Sequence, residues 1–250
     1  MSDDFYIGYL PTAAPRLAAH MRRFTLGLIL ASLGVGALLI FSMGGFSKAA
    51  FEFGVEREFM GTIADHAIPS LIVERPGIAA DSEGLSSYVL VAFGKHGAPS
   101  DVTDLKGRRV RLRGSLIYRD AQTMIEVAAG SVEDLGSGTF TGSAEELGVQ
   151  VLTGEIVDSK CFLGVMKPGN LKPHRACAVR CISGGIPPVL LVRDSDGQAV
   201  YYHLVSPEGE AVNALVLDRV AEPVRVEGRV VKRGGLLFLY ADPANYRAVP

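Results

Sequence analysis

Hydrophobic positions are arranged in two ways along this chain. From residue 24 to residue 41 they form the run FTLGLILASLGVGALLIF, which holds no charged residue. Beyond Lys48 they alternate with polar positions at a period of two. The first pattern predicts a helix that is apolar on every side. The second predicts short strands with one face buried.

With residues 42–46 the apolar run reaches the roughly 20 residues that a helix needs to cross a bilayer core. A transmembrane helix is expected over residues 24–46, after a cytoplasmic tail of residues 1–23. Arg16, Arg22 and Arg23 precede the run, and Glu52, Glu56 and Glu58 follow it. That bias puts the N-terminus in the cytoplasm and the bulk of the chain outside, in the bacterial periplasm. A cleaved signal peptide is the competing reading, because Ser47 and Ala49 form a small-x-small pair. The run is longer than the usual signal core, which favours an anchor. The apolar stretch at residues 5–10 of the tail suits docking on a membrane protein partner.

The strand patterns come in matching sets. RRVRLRG at residues 108–114 alternates strictly, and PVRVEGR at residues 223–229 repeats it. Each is followed by a turn and another strand, at residues 123–128 and 236–240. GTIAD at residues 61–65 matches GEIVD at residues 154–158. In the second unit the expected order is strands at 151–161, 189–193 and 200–205, a helix at 210–220, then strands at 224–232 and 236–241. Five strands with a helix before the fourth is the order of an OB-fold. The fold expected is mainly β: two tandem OB-like barrels over residues 50–135 and 149–250, joined by a Gly/Ser/Thr-rich linker at 136–148. The second unit is the longer one, by about the length of a Cys/His insert at residues 161–185.

Composition narrows the function classes. Lysine and arginine number 25 against 27 acidic residues, and no basic stripe with interleaved aromatics occurs, which excludes a general nucleic-acid binder. No G-x-S-x-G, P-loop, G-x-G-x-x-G or H-E-x-x-H is present. Three cysteines are too few for a disulfide scaffold, and all lie between residues 161 and 181.

That segment, CFLGVMKPGNLKPHRACAVRC, carries the candidate chemistry. Pro173 suits a helix start and Gly184-Gly185 a helix end. Between them His174, Cys177 and Cys181 fall at i, i+3 and i+7 on one helix face, and Cys161 lies at the end of the preceding strand. The four residues Cys161, His174, Cys177 and Cys181 form a Cys₃His set suited to zinc, or to copper(I) with Met166 as a thioether neighbour. A disulfide from Cys161 to Cys177 or Cys181 is a second reading. A reactive Cys177/Cys181 pair, activated by Arg175 and Arg180, is a third. C-x-x-C-H is absent, which excludes haem attachment by that motif. His66, His96 and His203 are isolated, Asp65 and Asp158 suit strand ends, and Glu155 is expected to face solvent.

The residues Gly154-Glu-Ile-Val-Asp158, Cys161-Phe162, His174-x-x-Cys177-Ala178-x-x-Cys181 and Gly184-Gly185-x-Pro187 resemble a motif of exported or membrane-anchored bacterial proteins with no settled activity. The resemblance implies that these cysteines and this histidine act as a set. The architecture also resembles the anchored OB-fold haem chaperone of cytochrome c maturation. Where that family has His-x3-Tyr, this chain has Asp242 and Tyr246, so the haem-binding histidine is not carried over.

The function expected from these features is an accessory or assembly subunit of a membrane-bound redox complex, more a binding protein than an enzyme. A metal (copper or zinc) carrier or thiol-redox protein, and a cell-envelope binding module, are the alternatives.

Overall fold

The computed structural model describes residues 13–43, 49–74, 84–138, 144–195 and 197–249. The apolar stretch at 5–10 and Ser47 lie outside the described residues. The chain divides into two compact units, Met1–Ser47 and Lys48–Pro250.

The first unit is built on helix α1, Pro15–Met43, with proline at its first position, where the missing N–H costs nothing. Its span Pro15–Ser42 is long and apolar enough to cross a membrane. Leu30, Leu38 and Ile40 are 68%, 70% and 73% exposed, and no residue of the helix's most apolar stretch is buried among the described residues. An anchor or a signal sequence has this signature.

The second unit is mainly β. It opens on β1, Ala49–Phe51, and continues with β2 (Arg57–Ile63), β3 (Ser70–Glu74), β4 (Leu85–Val91), the single helical turn α2 (Ser100–Thr103), β5 (Arg108–Arg119), β6 (Gln122–Val127) and β7 (Glu133–Ser137). Strands β2 to β6 form a five-stranded barrel. β2 pairs with β3 and β5, and β3 with β4. A parallel β4–β6 pair and an antiparallel β5–β6 pair close it. A second barrel follows, from β8 (Ala144–Asp158), helix α3 (Arg175–Ser183), β9 (Pro188–Arg193), β10 (Ala199–Val205), β11 (Pro223–Arg233) and β12 (Leu236–Tyr240), with β13 (Arg247–Ala248) on its edge. Its pairings repeat the first barrel strand for strand, including the parallel β10–β12 closure. Both barrels therefore have the OB order.

The alternation in sequence does what it predicts. Val110 and Leu112 are fully buried between outward arginines, and Val224 and Val226 occupy the same places in the second barrel. The repeated glycines have a shared steric reason. A Cβ on Gly61 would strike the Ile72 carbonyl, and one on Gly154 the Leu191 carbonyl. A Cβ on Gly114 would strike the Glu126 carbonyl, and one on Gly228 the Tyr240 carbonyl. Matched glycines thus sit where neighbouring strands approach most closely.

Two segments depart from expectation. The stretch read as a linker, 136–148, is strand at both ends, since β7 ends at Ser137 and β8 begins at Ala144; residues 139–143 lie outside the described residues. The helix expected over 210–220 is two 3₁₀ turns, Asn213–Leu215 and Leu217–Arg219.

Each barrel has its own interior, around Leu71, Leu90 and Leu112 in the first and Ile156, Leu190 and Leu239 in the second. A third apolar cluster joins them. Ile68, Val89, Ile117 and Met124 of the first barrel pack there with Val157, Cys161, Phe162 and Phe238 of the second. The cysteine segment lies in this seam. In the first barrel, residues 64–69 link the first two strands; in the second, residues 159–187 do so.

Candidate functional site

The site grows from the end of β8. Asp158 is fully buried and uses both carboxylate oxygens. Oδ1 accepts the backbone N–H of Cys161 at 2.8 Å, and Oδ2 lies 2.9 Å from His174 Nε2. One side chain thus fixes both the turn that starts at Cys161 and the start of α3. Cys161 opens a wide helical turn, Cys161–Val165. A 3₁₀ turn, Lys172–His174, leads into α3. Gly184 and Gly185 end α3 by donating to the carbonyls of Arg180, Cys181 and Ile182. The helix between Pro173 and Gly184-Gly185 is therefore where its sequence signals put it.

The three sulfurs converge. Cys161 Sγ lies 3.9 Å from Cys177 Sγ and 3.9 Å from Cys181 Sγ. All three cysteines are free thiols, so neither expected disulfide is formed. Ligands held by Zn–S bonds of about 2.3 Å stand roughly 3.8 Å apart in a tetrahedron and roughly 4.0 Å apart in a plane. The observed spacing suits either. Cys161 and Cys181 are buried, and Cys177 is half-buried.

His174 belongs to a second group. Among the described residues, Cys161, Cys177 and Cys181 form one set of ligand atoms within 4.8 Å of one another, and Asp158, Cys161 and His174 form another. Cys161 is common to both. The imidazole, buried and held by the Asp158 carboxylate, has the support that metal-bound histidines use.

Three residues of this site carried no sequence signal. Lys95, on the loop after β4 of the first barrel, donates to Cys177 Sγ at 2.8 Å. Lys160 is almost wholly buried, pairs with Glu126, and donates to the carbonyls of Ala92 and Gly94 at 2.8 Å each. Gly97 N–H donates to the Gly184 carbonyl at 2.9 Å. These contacts clamp the 92–97 loop of one barrel over the thiols of the other. Neither lysine is near its partners in sequence. Asp158, expected at a strand end, is the last residue of β8, and it also holds His174.

The electrostatics are uneven. The Cys181 thiol is lowered to about 7, first by its hydrogen bond with Cys161, and with help from the Lys95 charge. Cys161 is pushed far up by the same bond, by burial and by the neighbouring Asp158. Lys95 is raised by its bond to Cys177. Lys95 is the cation that lowers Cys181; Arg175, one of the two expected arginines, reaches instead to Glu222 and the Asp218 carbonyl.

The other singled-out residues fall elsewhere. His96 and Asp65 are exposed. His66 meets Phe238 edge-on in the seam, and His203 lies tilted against it. Glu155 is half-buried rather than solvent-facing; it accepts the Leu171 N–H, and burial raises its carboxyl. Met166 is 43% exposed. Asp242 caps a 3₁₀ turn through Ala244 N–H, and Tyr246 is buried. No protein-family model, no curated protein and no solved structure matches the chain.

Proposed function

We propose that this chain is a membrane-anchored protein that holds a thiophilic metal ion, zinc or copper(I), on Cys161, Cys177 and Cys181. The observation that carries this reading is the approach of two sulfurs to 3.9 Å from a third in a buried seam. Soft thiolates select these ions over hard ones. Three sulfurs leave a tetrahedral ion with one position to fill. A closed structural site has four protein ligands, whereas an open position suits a site that passes its ion on or takes an external ligand. Asp158 and His174, which group with Cys161, are the side chains placed to fill it. The apolar α1 would anchor the barrels to the bacterial inner membrane, with the N-terminus in the cytoplasm and the barrels in the periplasm.

A second reading sets the same centre in a larger assembly, as an accessory or assembly subunit of a membrane-bound redox complex. One observation favours it. Leu147, Val149 and Val151 alternate along β8 and are 39%, 69% and 49% exposed, an apolar ridge on the outside of the second barrel.

The test uses the full chain in mild detergent, reduced and purified without chelator. Zinc and copper(I) are titrated separately, and bound metal is measured by elemental analysis. One ion per chain is expected. Cys161→Ser, Cys177→Ser and Cys181→Ser should each weaken binding by on the order of 100-fold or more, since each removes a direct ligand. Wild-type protein that takes up neither ion sinks the metal reading.

A further inference from the structure

The three thiols are not equivalent in access or in pairing. Cys161 is 4% exposed and Cys181 1%, while Cys177 is half-buried, with its sulfur bonded to the exposed Lys95. Cys161 sits 3.9 Å from both other sulfurs. Cys177 and Cys181 are four residues apart on α3. Helix neighbours at that spacing hold their Cβ atoms about 5–6 Å apart, too wide for a disulfide, which needs about 3.5–4.5 Å. Cys161 comes from a separate turn and is free of that restraint.

We infer that Cys161 and Cys177 form a thiol–disulfide exchange pair that closes the metal site on oxidation, with a small disulfide of the glutathione type as the oxidising substrate. This regulation rests on the three-thiol metal reading above. Cys177, the accessible thiol, attacks one sulfur of the small disulfide, giving a mixed disulfide and releasing one thiol. Cys161 then attacks the Cys177 sulfur, giving the Cys161–Cys177 disulfide and releasing the second thiol. Two protein S–H groups lose two protons and two electrons, and the small disulfide gains both as two thiols. Cys181 alone of the three remains a ligand. A bound ion engages the same sulfur lone pairs, so the loaded site resists the exchange. The pair differs from the Cys177/Cys181 pair that the sequence suggests, and the difference follows from the helix geometry.

The experiment uses full-length, reduced, metal-free protein in detergent, treated with excess oxidised glutathione, alkylated and mapped by peptide mass. The expected product has a Cys161–Cys177 link and an alkylated Cys181, and it takes up zinc on the order of tenfold less than reduced protein or worse. Preloading with zinc should slow the link's formation at least several-fold. Cys161→Ser should stop at a stable glutathione adduct on Cys177. Cys181→Ser, which lacks a metal ligand, should still form the link, so the pair is tested even if Cys161→Ser does not fold. Three alkylatable thiols after treatment, or a Cys161–Cys181 link as the product, overturn the inference. If the link forms but reduced protein binds no metal, the exchange pair stands and the metal reading fails. If metal binds and no link forms, this inference fails alone.

Discussion

Lys160 sits where few lysines do: its side chain is 2% exposed and pairs with Glu126, 11% exposed, across the seam between barrels. Two further protons of the ammonium go to the carbonyls of Ala92 and Gly94. A buried pair is not by itself a large source of stability, because both charges lose water. Removing one partner is costly, since the other is left uncompensated. Lys160→Met should therefore destabilise the protein by about 3–5 kcal/mol. It strands the Glu126 carboxylate and frees two carbonyls. Lys160→Met combined with Glu126→Gln should recover part of that loss, because the orphaned charge is gone. Urea denaturation of the wild type, the single variant and the double variant measures this. A double variant less stable than Lys160→Met by the full effect of Glu126→Gln alone would mean that the pair does not couple.

At the scale of elements, the seam depends on glycines where backbones touch. A Cβ on Gly97 would strike the Gly185 carbonyl, and one on Gly184 would strike the Lys95 carbonyl. Gly97→Ala should therefore push the 92–97 loop off α3, with a loss of about 1–3 kcal/mol. The Gly97 N–H bond to Gly184 should lose protection in hydrogen exchange. Gly36→Ala is the control, since nothing lies within 4 Å of a Cβ there. Elements that rest on local pattern were legible in the sequence: the apolar helix, the alternating β5 and β11, the hairpins after them, and α3 between Pro173 and Gly184-Gly185. Elements decided by tertiary partners were not. Val212, Val216 and Val220 are spaced like a helix face and are all fully buried, yet the backbone makes 3₁₀ turns. β-branched residues are weak helix formers, and Asn213 spends its amide on the carbonyls of Ile182 and Ile186. The start of β8 falls in the Gly/Ser/Thr-rich stretch read as linker, and residues 144–149 are exposed; its partner β11 and the Arg229–Glu146 pair at 2.7 Å hold it as strand. The cysteine cluster was legible as a set, but the first-barrel residue that touches it, Lys95, lies 82 positions from Cys177. No local pattern reports such a contact.

For the whole molecule, pairing of the barrels should depend on pH through two histidines in the seam. His66, from the first barrel, and His203, from the second, both contact the Phe238 ring, edge-on and tilted, with ring centroids 4.8 and 5.8 Å away. The Nδ1 atoms of both are buried without a hydrogen-bond partner. Burial lowers His66 from 6.5 to about 4, assisted by the charges of Arg233 and Lys106. Burial lowers His203 to about 3, with a further push from His66. Well above pH 6.5 both are neutral in the folded and the unfolded chain, and pH has no leverage through them. Below it the unfolded chain binds protons that the folded chain refuses, so stability falls as the pH drops from 6.5 towards 4 for His66 and towards 3 for His203. Between pH 7.5 and pH 5 the loss should be about 2 kcal/mol for fully buried His203, and less for part-buried His66. His203→Leu keeps the size of the side chain and removes the titration. Its stability at pH 7.5 can move either way, because the orphaned nitrogen goes as well. The difference between pH 7.5 and pH 5 should shrink by about 2 kcal/mol, and further in the variant that also carries His66→Leu. Urea midpoints at the two pH values, with the slope checked for two-state unfolding, give the comparison. An unchanged difference in both variants would place the acid sensitivity outside the seam, with the carboxylates, and leave the two histidines as packing groups alone.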